Sequence, residues 1–267
     1  MTCQPYTVTI RFYEELNDYL LPEETRKKDM VVESTDRRSV QDLVESLGVP
    51  PVAVDLILVN GESVDFSYII QAGDHISVYP EFERFDVSDV TRLRPGVLRE
   101  SRFILDVHLG KLARRLRLLG FDVDYREHRD DRELAEISYR EKRILLTRDR
   151  QLLKRKMVDR GFIIRNTDAD KQVLEVLTRL DLWSSIRPFT RCIECNGVVE
   201  PISVTGARFK QEKHRIPEGV LLWCSEFYFC NACGRIYWKG SHYDRLQHTI
   251  DRILEAVPAA AFQSSPE

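Results

Sequence analysis

Apolar and polar positions alternate with period two over Tyr6–Phe12, which predicts a β-strand. Met30–Ser34, Leu56–Val59 and His75–Tyr79 are further short β-rich runs. Between the first two and the last two, Ser39 is placed to cap a short helix through Leu47, stopped by Gly48 and Pro50-Pro51. Asn60-Gly61 is suited to a tight hairpin turn and Gly73-Asp74 to another. The predicted order is β-β-α-β-β. After residue 98 the rhythm changes to strands alternating with helices. Arg102–Asp106, Phe121–Tyr125, Arg143–Thr147 and Phe162–Arg165 read as strands. Leu109, Leu112, Ala113, Leu116 and Leu119 recur at helical spacing before Gly120. Further helices are expected from Asp130-Asp131 to Arg140, over 150–160 with Gly161 as the stop, and over Ala169–Leu180. Such alternation implies right-handed βαβ units and a parallel sheet. A last helix is expected over Tyr243–Val257.

These patterns divide the chain into 1–88, 97–187 and 188–258, with a linker at Val90–Gly96 and an unstructured tail over 259–267. Apolar residues make up 43% of the chain and charged residues 31%, the profile of a soluble globular protein. No apolar run approaches the ~20 residues needed to cross a membrane. The N-terminus has no basic region followed by an apolar stretch, so the expected compartment is the cytoplasm. Net charge is −3 overall, but residues 1–90 hold 7 basic and 18 acidic side chains, and residues 99–160 hold 18 basic and 12 acidic. An acidic head beside a basic middle fits a polyanionic partner for the middle, or simply two solvated faces.

The middle segment carries acids at the carboxyl ends of its predicted strands, where α/β sheets place their active sites. These are Asp106, Asp130-Asp131 and Asp149. Converging carboxylates need a cation, and magnesium or manganese prefers such oxygen ligands. Singly, an Asp between a strand and a helix also reads as a helix cap. Lys111, Arg114, Arg115 and Arg117 follow Asp106 on one helix, pointing outward or to the cleft edge. Lys111 and Arg114 are placed to hold phosphates, and Arg115 and Arg117 read as a solvated face.

Cys192-Ile-Glu-Cys195 and Cys230-Asn-Ala-Cys233, separated by residues 196–229, match a closed tetrahedral zinc site with a structural role. Asn196-Gly197 and Gly234 supply turns that let backbone amides approach the sulfurs. Cys224 reads as a small core residue and Cys3 as incidental. After the second pair, Lys239 and His242 are candidates for phosphate contact. Trp238 is expected to pack the ribbon against the last helix.

Two stretches carry family resemblances. Val59-Asn-Gly61 and Ala72-Gly-Asp-His-Ile-Ser-Val78, in their β-β-α-β-β setting, resemble the ubiquitin-like sulfur carriers of thiamine and molybdopterin synthesis. The chain continues through Tyr79-Pro-Glu-Phe-Glu83 instead of ending in a free Gly-Gly, which favours docking to a protein partner over sulfur transfer. The run from Arg102 to Asp122, then Asp130-Asp131, then Ile144-Leu-Leu-Thr-Arg-Asp149, resembles the PIN-like RNase family known as the Mut-seven C-terminal domain. That similarity extends to about Leu246 and implies a β-grasp head, a PIN-like α/β domain and a zinc ribbon. It also implies metal-dependent RNA hydrolysis with Asp106, Asp131 and Asp149 as the metal-binding acids, and Asp168 and Asp170 as candidates for a fourth. A non-catalytic RNA-binding or adaptor protein is the alternative.

Overall fold

The structure, a computed structural model, describes residues 5–20, 28–80 and 101–256. The expected linker at 90–96, the tail at 259–267 and Cys3 lie outside those residues. The chain falls into two compact units, residues 1–100 with 131–163, and residues 101–130 with 164–267.

In the first unit, β1 (Tyr6–Phe12) lies between antiparallel β2 (Met30–Ser34) and parallel β5 (His75–Pro80). The sheet continues through β3 (Val54–Val59) and β4 (Glu62–Val64), in the order β2-β1-β5-β3-β4. Asn60 (φ 53°) and Gly61 (φ 89°) are both left-handed, as the primed hairpin turn between β3 and β4 requires. Helix α1 (Val40–Ser46) opens with the expected cap: Asp42 N–H donates to Ser39 Oγ and Ser39 N–H donates back to the Asp42 carboxylate. Val40, Leu43 and Val44 bury against Ile10, Phe12, Ile57 and Ile76 to form this core.

The same unit holds α3 (Asp131–Glu141), β8 (Ile144–Thr147), α4 (Arg150–Leu153) and β9 (Gly161–Ile163). In it β8 pairs in parallel with β9, with Leu145 opposite Gly161. The helix expected over 150–160 is cut to one turn, because Lys154 caps it and Val158 N–H turns back to Arg155 O. Gly161 is a strand residue rather than a helix stop. A Cβ there would sit 2.6 Å from the Leu145 carbonyl oxygen, so only glycine lets β9 lie against β8. Ile163 packs on the head's core, and Arg150 donates to the Asp18 carbonyl at 2.8 Å with its guanidinium over the Tyr19 ring.

In the second unit, β6 (Arg102–Leu105) pairs in parallel with β7 (Asp122–Asp124), and α2 (Gly110–Leu118) covers them. Helix α5 (Ala169–Arg179) packs on α2, and α8 (Ser241–Glu255) on α5. Between these helices in sequence lie an antiparallel sheet of β10 (Val199–Ile202), β11 (Phe227–Cys230) and β12 (Ile236–Trp238), and the short helices α6 (Ala207–Glu212) and α7 (Glu218–Leu221).

Trp238 packs on the ribbon's own cluster of Phe209, Ile216 and Phe227. Cys224 is partly buried on that cluster, as expected of a core residue, while its neighbours Leu222 and Trp223 are exposed. No helix among the described residues is long and apolar enough to cross a membrane.

Candidate metal centre and strand-end acids

The four cysteines come from two turns. Asn196 N–H bonds to Cys192 O at 2.9 Å and Gly234 N–H to Cys230 O at 3.0 Å, with Asn196 and Gly234 both at φ 71°. Gly197 lends the first turn its closeness: a Cβ there would meet Cys230 Sγ at 2.8 Å, while its N–H reaches Cys195 Sγ at 3.4 Å. All four sulfurs lie within 4.8 Å of one another, with Cys192–Cys233 at 3.8 Å and Cys195–Cys230 at 3.4 Å. A tetrahedral S4 site with ~2.3 Å metal–sulfur bonds has sulfur–sulfur edges of about 3.8 Å.

The thiols are not equivalent. Burial pushes Cys192 up, but hydrogen bonds from the Tyr237 hydroxyl (2.9 Å) and from the Cys195 and Glu194 backbone outweigh it, leaving Cys192 lowered to about 7. Burial raises Cys195 to about 12 and raises Cys233 in the same direction. Thiols this close resist ionising together, so four thiolates require a cation among them.

Arg117 joins this knuckle to the βα unit. Its side chain was expected on a solvated face, yet Arg117 is buried, with burial lowering its pKa against the pull of Asp124 and the cysteines. The guanidinium donates to Val123 O from Nε (3.1 Å) and Nη2 (2.9 Å), and from Nη1 to Ile193 O (3.3 Å) and Glu194 O (2.8 Å). Asn196 adds a second tie, accepting from Val123 N–H at 2.9 Å and donating to Asp122 Oδ1 at 2.8 Å. Arg115 is likewise no solvated cation: it pairs with Asp170 at 2.9 Å, and Asp170 also binds Arg252 of α8 at 2.7 Å.

Asp106 follows β6 directly, is 5% exposed, and accepts the His108 N–H at 3.1 Å as a helix cap. Tyr125 sits over this turn. Its hydroxyl donates to Val107 O at 3.0 Å, and a Cβ at Gly110 would come within 2.6 Å of that hydroxyl oxygen. Burial raises the Tyr125 pKa, helped by Glu127 and Asp106. Asp124 ends β7 and pairs with the buried Arg129 at 2.9 Å, a strand-end acid that the sequence reading passed over.

In the other unit, Asp149 caps α4 through the Gln151 N–H at 2.7 Å and is held by the Thr147 hydroxyl, which accepts the Asp149 N–H at 2.9 Å. Asp131 is the first residue of α3, paired loosely with Arg155 at 3.7 Å. Back in the second unit, Asp168 caps α5 by accepting the Asp170 and Lys171 N–H groups. Among the described residues, the four cysteines are the one group of three or more His, Cys, Asp or Glu side chains near enough to share a metal ion.

Of the proposed phosphate contacts, Arg114 is bound to Glu194 at 2.6 Å and Lys239 to Glu226 at 2.6 Å, while Lys111 and His242 are exposed. Arg114, Lys239 and His242 line one cleft of about 1100 Å³.

A β-grasp domain, a parallel βα sheet and a four-cysteine ribbon tied to that sheet's α2–β7 connection define a modular α/β protein of the PIN-like, zinc-ribbon class. The family model described as the Mut7-C RNAse domain matches residues 101–250, more than half of the chain, and the one described as Mut7-C ubiquitin matches residues 6–86. The chain therefore belongs to the Mut7-C RNAse domain family. No curated protein matches it.

Proposed function

We propose that this protein is a metal-dependent ribonuclease that hydrolyses RNA phosphodiester bonds, with zinc in the cysteine ribbon as a structural ion. The observation that carries the reading is the match to the Mut7-C RNAse domain over residues 101–250. Asp106, Asp131 and Asp149 follow or open elements at strand ends, where this fold class keeps its chemistry.

Their carboxylate oxygens suit a hard cation. Magnesium or manganese held there would supply water activation and charge stabilisation at the leaving oxygen. Asp106, set in place by its cap and by Tyr125 over the same turn, is the most fixed of the three acids. Lys111 and Arg114 on α2 would hold the RNA backbone, and Lys239 and His242 on the ribbon would extend that grip. For the ribbon, an all-sulfur donor set with tetrahedral spacing favours zinc over oxygen-seeking ions.

Asparagine caps a helix as well as aspartate does. Asp106→Asn with Asp149→Asn therefore removes two charges and keeps both caps. We expect this double variant to shift Tm by no more than a few degrees, about what 0.5 kcal/mol gives. With manganese or magnesium and a panel of single-stranded and structured RNAs, cleavage should fall at least ~100-fold, since even outer-shell partners of a catalytic metal are worth 10–100-fold. Unchanged cleavage would reject these acids as the metal site. No cleavage by wild type, with RNA still bound, would favour a non-catalytic RNA-binding role, in which the capping bonds at Asp106 and Asp149 are all those acids do.

The acidic ubiquitin-like head is assigned to protein docking in this reading. Its test is pull-down with point variants on β2, where Val31 is exposed. Deleting the head would instead strip the cover from Ile163 and Arg150.

A further inference from the structure

Five cationic side chains line the 1100 Å³ cleft of the second unit: Arg114, Arg191, Arg215, Arg235 and Lys239. Glu194 is the one acid among its described lining residues, and Arg191 and Arg215 pair with Asp122 (3.6 Å) and Glu212 (2.7 Å), neither of which lines it. The Glu194 carboxylate is shared between Arg114 at 2.6 Å and Arg235 at 4.0 Å, so it cannot neutralise both. Both arginines keep over half of their side chains in solvent, and Lys239, bound to Glu226, keeps 50%. Exposed ion pairs of this kind are weak and exchange readily for a phosphate.

The walls between these charges are aromatic. Phe189 and Tyr243 stack with ring centroids 4.7 Å apart, and Trp238 lines the cleft beside Gly240. Gly240 keeps that side open, since a Cβ there would crowd the Trp238 indole nitrogen at 3.3 Å. Cationic edges over aromatic walls suit an unpaired strand, with phosphates at the rim and bases against the rings. A duplex hides its base faces and has nothing to offer such walls.

We propose that this cleft, built from the middle of α2, the ribbon and the start of α8, is a binding site for single-stranded RNA, separate from the strand-end acids. The choice of RNA rests on the ribonuclease reading above. The site itself rests on charge and shape. Arg114 stands about 6 Å along α2 from Gly110, itself four residues past Asp106, so a strand leaving the cleft along α2 is led toward that acid.

The test uses the full-length, metal-loaded protein without added magnesium or manganese, and fluorescence anisotropy with a labelled 12-nucleotide oligo(U) and a duplex of equal length. Metal content and thermal melts confirm that each variant is folded. We expect the oligo(U) to bind more tightly than the duplex. Arg114→Ala, Arg235→Ala and Lys239→Ala together should weaken oligo(U) binding at least tenfold and flatten its salt slope by about 2, near 0.7 for each phosphate no longer neutralised. Tyr243→Ala should weaken it about tenfold with the salt slope unchanged, because a ring and no charge is removed.

Folded triple and Tyr243 variants that bind as wild type would overturn the site, and equal affinity for oligo(U) and duplex would overturn its single-strand character. Displacement by polyglutamate as effective per charge as by oligo(U) would reassign the cleft to acidic peptides. Failure of the nuclease reading looks different: Asp106→Asn with Asp149→Asn cleaving as wild type, whatever the cleft variants bind.

Discussion

The cysteine ribbon and the strand-end acids are both read as metal sites, yet the fold treats them in opposite ways. The ribbon's backbone turns gather four sulfurs within 4.8 Å although burial resists ionising Cys195 and Cys233. Asp106, Asp149 and Asp168 instead spend a carboxylate oxygen on a neighbouring backbone N–H. A soft, closed site must be preassembled, because its ligands have no second use in the fold. A carboxylate has one, as a helix cap, and can serve the chain before it serves a cation.

That contrast is tested hardest by removing the metal. Chelation, or Cys195→Ser with Cys230→Ser, should unfold the β10–β11–β12 ribbon, since apparent binding energies of structural zinc run to about 10 kcal/mol or more. Circular dichroism and metal analysis follow this directly. Retention of the ribbon without metal would make the cysteine cluster incidental. The acids predict the reverse: magnesium or manganese should add little to Tm.

A smaller effect asks how far the ribbon is independent of the βα unit. Arg117→Met keeps the length and apolar stem of the side chain but leaves the carbonyls of Val123, Ile193 and Glu194 without their donor. Unsatisfied buried polar groups of this kind cost about 1–3 kcal/mol each, so a loss of ~3 kcal/mol by urea unfolding is expected, with weaker metal retention. Unchanged metal affinity would show the knuckle and its neighbours to be separate modules.

Arg117 also marks where sequence reading stops. The cysteine spacing, the Asn60-Gly61 turn and the Ser39 cap were legible because each is a local rule within a few residues. The β-β-α-β-β part of the head was legible for the same reason, as was the placement of Asp106 and Asp149 after their strands, but the three-residue β4 (Glu62–Val64) was not, because its run is too short to show alternation. Arg117 was read as solvated because charge outweighs position in a helical pattern, yet two of its carbonyl partners lie 76 and 77 residues away. Asp124 was overlooked because its partner Arg129 becomes buried only in the tertiary fold. The length of α4 was overestimated because Gly161 resembles a helix stop in sequence, while its actual constraint is the Leu145 carbonyl across the sheet.

The smallest effects separate two neighbouring acids that were both candidates for a fourth metal ligand. Asp170 pins α2 to α8 through Arg115 and Arg252. Asp170→Asn should cost about 1 kcal/mol, because the pairs are partly exposed, and should leave RNA cleavage unchanged. Asp168 differs in kind. Its pKa is lowered, chiefly by the Lys171 backbone N–H, with the Asp170 N–H, Lys171 and Arg252 adding to this. A carboxyl lowered in the folded state stabilises it above its unfolded value of about 3.9 and stops doing so as pH falls through the lower, folded one. Asp168→Asn keeps the cap and loses only that charge dependence. Wild type should therefore be the slightly more stable protein at pH 7, and the difference in Tm should close in acid below pH ~4. A gap that persists undiminished in acid would mean that the side chain acts through packing, and a cleavage defect at pH 7 without a stability change would return Asp168 to the metal-binding set.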